Sequence, residues 1–180
     1  MKNFVLFLTL GIYAATLSAE TLSPYAGEDS RNIKSLSSDR IAGLLEGKGL
    51  GYGKVAELNG FPGPAHVLEL ADQLAISEDQ KSKTLAIFNA MQSQAKKLGA
   101  QLVEAERQLD ELFTSGEISA AVVSSRLEDI GALEGQLRAA HVNAHLEQKA
   151  LLTKHQVHRY NQLRGYVSGA HQISPDHHHH

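Results

Sequence analysis

The sequence predicts an all-α protein organised on a long antiparallel helical hairpin with short flanking helices. Between Leu85 and Leu112 the apolar positions are Leu85, Phe88, Met91, Ala95, Leu98, Leu102, Ala105, Leu109 and Leu112. They recur at gaps of three and four, the spacing of an a/d heptad seam. A second seam follows in Val123, Leu127, Ile130, Leu133, Leu137, Ala140, Ala144 and Leu151. Between the two lies Thr114-Ser115-Gly116, where glycine can take the left-handed conformation that ends a helix. Two patterns of similar length joined by a tight turn fold back as an αα-hairpin. There is little β-branched alternation, and the chain has no Trp and no Cys.

Residues 1–19 read as a signal peptide. Lys2 is a short positive start, Phe4 to Ala15 is an apolar run too short to span a bilayer, and Ala19 is a small residue at the cleavage point. The alternative is an uncleaved N-terminal anchor. The expected location is the periplasm, an oxidising compartment in which this cysteine-free chain uses no disulfide. Without Lys2 there are 16 basic against 20 acidic residues. That balance argues against a nucleic-acid partner bound by phosphate neutralisation.

Residues 20–63 form an irregular N-terminal arm with one short helix. Ser37-Ser38-Asp39 offers caps for a helix over 40–47. Glycines 47, 49, 51 and 53 surround Leu50 and Tyr52. No Gly-Lys-Ser/Thr follows and no strand precedes, so the run reads as a flexible joint rather than a phosphate loop. Val55 to Leu58 adds a helical turn before the break Asn59-Gly60-Phe61-Pro62-Gly63-Pro64. Pro64 suits the first position of the next helix, which carries Val67, Leu68, Leu70, Ala71 and Leu74. Residues 64–166 are the helical-hairpin domain and 167–180 a flexible His-rich tail.

Two helix starts share one device. Ser77-Glu78-Asp79-Gln80 and Thr153-Lys154-His155-Gln156 are capping boxes, with Ile76 and Leu152 ahead of them as hydrophobic staples. Leu152-Thr153-Lys154-His155-Gln156 resembles the LTXXQ motif of the Spy/CpxP-like periplasmic proteins, and Ile76 to Gln80 looks like its degenerate first copy. The resemblance covers roughly residues 64–166 and the signal peptide. It implies a four-helix protomer on a long bent hairpin, paired as a cradle-shaped homodimer, that is not an enzyme. Such proteins hold unfolding clients without ATP, bind metal ions, or do both. The segment from Leu58 to Ala75 is most similar to the heavy-metal-resistance and periplasmic metal-sensor branch.

The metal expectation also has a basis in spacing. His141 and His145 stand one helical turn apart on one face, able to share an ion. Further ligands would come from Glu134, Glu147, His155, His158, a partner chain, or the tail residues His171, His177, His178, His179 and His180. Clustered imidazoles favour Zn, Cu, Ni or Co over Ca or Mg. The competing reading places His141 beside the apolar seam as a partly buried polar residue, with His145 in solvent. His66, with Glu69 three positions on, reads as structural. The terminal histidines are either a native chelating tail or the remnant of a purification tag. Met91 is the one methionine after Met1, and this scarcity counts against thioether ligation of Cu(I).

No Glu follows His141, so the His-Glu-x-x-His zinc-protease arrangement is absent. No Ser/His/Asp set or dinucleotide fingerprint is present either, and the expectation is a non-enzyme. The function expected is binding of divalent transition metals in metal or envelope stress. The alternative is an ATP-independent holdase whose apolar groove, near Gly131, Gly135, Ala139, Ala140 and Ala144, takes unfolded clients. A sensor acting through a membrane partner is a third possibility.

Overall fold

A computed structural model describes residues 22–116 and 118–166. The proposed signal peptide and the His-rich tail lie outside these residues. The chain divides after Ser30 into two units. The first, from Leu22, is a series of turns ending in a 3-10 turn, Glu28–Ser30.

From Arg31 the described residues form helices and connecting turns, with no strand among them. Helix α1 spans Ser38–Leu45, α2 Lys54–Glu57, α3 Pro64–Glu69, α4 Glu78–Ser115, α5 Ala120–Leu151 and α6 Lys154–Leu163. No helix among the described residues is long and apolar enough to cross a membrane. Helix α1 starts two residues before the expected Arg40, because Ser37 is the cap and its hydroxyl accepts from the Arg40 amide at 3.2 Å. Gly47, at φ +68, stands just beyond its end. Helix α4 stops where the sequence suggested, at Gly116 with φ +73. Both capping boxes form, Ser77 with Gln80 and Thr153 with Gln156.

Helices α4 and α5 are a long pair. The Gln80 side chain donates to the Leu151 carbonyl at 3.0 Å, and Gln148 donates to the Thr84 hydroxyl at 3.1 Å. One helix therefore advances as the other recedes. The main core draws Ala95, Leu98 and Leu102 from α4 and Ile130, Leu137 and Ala140 from α5, with Leu44 and Tyr52 laid across them. Helix α1 reaches α4 only because residue 99 is glycine: a Cβ there would stand 2.2 Å from the Leu44 carbonyl oxygen. A second core joins Val67, Leu74, Leu152 and Tyr160.

The seams are not buried along their whole length. Leu85 is 48% exposed and Leu127 51%. A pair of helices buries one narrow stripe, and side chains flanking it stay in water wherever no third element is laid over them. Gly131 and Gly135 face open space rather than a close helix contact.

Candidate functional site

The glycine-rich run does not behave as a free joint. Tyr52 is buried within it, and the run walls a cleft of about 540 Å³ together with Pro64, Phe88, Met91, His141 and His145. Leu50 in this wall sits at φ +43, a left-handed conformation that costs about 1–3 kcal/mol outside glycine. Its side chain packs so tightly on Gly43 that a Cβ there would come within 2.7 Å of Leu50 Cδ2.

His141 and His145 lie one turn apart on α5 and are both buried, at 3% and 9% exposure. Of the competing reading, the buried His141 describes this structure and the solvated His145 does not. His145 Nδ1 is 2.7 Å from the Phe61 carbonyl oxygen. A carbonyl can only accept, so Nδ1 carries the proton, and in the neutral ring the lone pair is on Nε2. That atom faces Gly53, where a Cβ would stand 2.5 Å away. Gly63 flanks the ring as well, with a virtual Cβ 2.9 Å from Cε1. The imidazole is thus cradled by two glycines.

Behind the ring stands Glu57, buried on the short helix α2. Its Oε2 accepts from the Gly63 amide at 3.1 Å and lies 3.5 Å from His145 Nδ1. Its Oε1 accepts from the Tyr160 hydroxyl at 2.5 Å and pairs with Arg164 Nε at 3.4 Å. Burial, and then the Glu57 carboxylate, push the Tyr160 hydroxyl well above the ordinary phenol range, so it remains a donor. The carboxylate is fully committed to these partners.

His141 stacks on Tyr52, with ring centroids 5.7 Å apart and planes 9° from parallel. The Tyr52 hydroxyl donates to Glu134 at 2.7 Å and accepts from Arg40 at 2.8 Å, which fixes the ring. His141 Nε2 is buried with no hydrogen-bond partner. Burial first, and the neighbouring His145 second, lower the His141 pKa below the usual imidazole value and favour the neutral ring.

These features fit a transition-metal ion in two respects. There is an orphaned imidazole nitrogen, and a second imidazole is oriented through its far nitrogen by a backbone carbonyl, the usual support for a ligating histidine. Among the described residues, however, no group of three His, Cys, Asp or Glu side chains is placed to hold an ion. Glu134 is engaged by Tyr52 and Arg40, Glu147 and His155 are exposed, and His158 Nε2 contacts Gln162 at 3.0 Å. His66 borders the cleft and bonds Glu69 at 2.8 Å. His171 and His177 to His180 lie outside the described residues.

Glu57, Phe61 and the two cradling glycines escaped the sequence reading. The density of glycine between 47 and 63 was the available signal, but a close approach to a side chain some 80 residues away has no local signature. No family model, curated protein or solved structure matches the chain.

Proposed function

We propose that this chain is a non-enzymatic periplasmic protein of the Spy/CpxP type. In this reading it has a four-helix protomer built on a helical hairpin, and it binds a transition-metal ion in metal or envelope stress. One observation carries the reading: two buried imidazoles one turn apart in a cleft, one with an unpartnered nitrogen and the other oriented by the Phe61 carbonyl. His141 and His145 would hold the ion, with His171 and the terminal run as further, weaker ligands. Pairing as a homodimer belongs to the same proposal. When bound, the ion adds its binding free energy to the folded state.

Calorimetric titration of the full chain with Zn²⁺, Cu²⁺ and Ni²⁺ tests this. His141→Ala/His145→Ala should remove the tightest equivalent, and deletion after Ser174 should remove weaker ones. If both variants bind as the wild type does, the reading fails.

A second reading rests on a different part of the long pair. Phe113, Val122 and Leu127 are 60%, 43% and 51% exposed. Exposed large apolar side chains are what a holdase presents to unfolded clients. Suppression of client aggregation by the metal-free protein, retained in His141→Ala/His145→Ala, would favour it.

A further inference from the structure

The two-histidine set is short of a ligand, and the residue across the cleft from it carries a different donor. Met91 is the only methionine among the described residues, and it lines the same cleft as His141 and His145. The register of the long pair places it. Thr84 and Gln148 touch at 3.1 Å. Seven residues on from Thr84 is Met91, and seven back from Gln148 is His141. A step of seven returns to the same face of each helix, so Met91 stands level with His141 on the facing side of α4. The next step along α4 reaches Leu98, which is buried in the core the two helices share.

The electrostatics of the cleft point the same way. Among the described residues Glu57 is the one carboxylate lining it, and it is taken up by Gly63, Tyr160 and Arg164, while Lys48 and Lys54 on the same wall add positive charge. Two imidazoles and a thioether are neutral donors, and an uncompensated double charge is expensive to bury. A set of that kind, walled by Leu50, Phe88 and Pro64, suits a soft monovalent ion better than a hard or borderline divalent one. We propose that Met91 completes the His141/His145 site through its thioether, and that the site selects Cu(I) or Ag(I) over Zn(II). This rests on the metal reading above and reverses the sequence-based expectation, which counted the scarcity of methionine against thioether ligation.

The test uses the full chain, anaerobically, with Cu(I) supplied from a chromophoric chelator and Zn(II) titrated separately. Met91→Leu keeps the side chain's size and apolar character, and circular dichroism checks that it folds. Losing a direct ligand should cost at least what losing a supporting partner does, so Cu(I) affinity should fall by about tenfold or more while Zn(II) affinity holds. X-ray absorption on the Cu(I)-loaded wild type should show a sulfur scatterer that Met91→Leu lacks. Unchanged Cu(I) affinity in Met91→Leu, or no sulfur scatterer in the wild type, overturns the assignment. The histidine reading survives that result if His141→Ala/His145→Ala still loses metal. If the double histidine variant binds Cu(I) and Zn(II) like the wild type, both fall together.

Discussion

The side-chain amides of Gln80 and Gln156 bond to each other in both directions, at 2.9 and 3.0 Å. Each glutamine also closes its own capping box, accepting from the Ser77 or Thr153 amide at 3.0 or 2.9 Å. The starts of α4 and α6 are thereby locked to each other and, through Leu151, to the end of α5. Gln80→Leu and Gln156→Leu should each cost about 1–3 kcal/mol, since each removes the acceptor of one capping box together with the amide pair between the two helix starts. The double variant should cost clearly less than their sum, by at least about 0.5 kcal/mol. Urea unfolding of the four proteins measures this; strict additivity would show that the pair contributes nothing as a pair.

Glycine substitutions separate the cradle from the open faces. Gly53→Ala places a Cβ 2.5 Å from His145 Nε2 and should destabilise by about 1–3 kcal/mol; under the proposed metal reading it should also lower the affinity for the ion. Gly131→Ala meets nothing within 4 Å inside α5 and should stabilise by about 1 kcal/mol, the helix-propensity difference. Thermal unfolding ranks the two.

Glu57 is the most consequential buried charge. Glu57→Ala leaves the buried Tyr160 hydroxyl without its acceptor and Arg164 Nε without its ion pair, and should cost about 3–5 kcal/mol. Glu57→Gln keeps an acceptor for Tyr160 and should cost less. Equal losses in denaturant midpoint would mean that the charge itself is what matters.

Acid should weaken the metal-free protein through His141. In the folded chain its pKa lies below the usual imidazole value of about 6.5, from burial first and His145 second. In the window below about 6.5 the unfolded chain therefore binds more protons than the folded one, and stability falls as pH falls. His141→Phe, which keeps a ring against Tyr52, should flatten that part of the curve. Melting temperatures between pH 7.5 and 5.5, compared with the wild type, supply the check.

The holdase reading predicts that Phe113→Ser/Leu127→Ser loses client protection with little change in stability. Exposed positions away from special features usually shift stability by no more than about 0.5 kcal/mol. Light scattering of an aggregating client, with and without the variant, decides it.

Much of the helical framework was legible because its signals are local. Ser77 with Gln80, Thr153 with Gln156 and the glycine at 116 act within one turn of chain, and each marks the helix end it should. The seams were legible as helix faces but not in their burial. Leu85 and Leu127 fit the pattern as well as Leu98 and Leu137, yet only the latter two are covered.

What the chain determines by itself is therefore the helices, their ends and the one-turn spacing of His141 and His145, since these follow from side-chain period and backbone geometry. Tertiary structure alone decided that the 47–53 loop would close on α5, that Phe61 would orient His145, and that Met91 would line the same cleft as His141. These are close approaches between residues some fifty to ninety positions apart. They depend on where glycine lets backbone and ring meet and on the register of two long helices, and no short window of sequence encodes either.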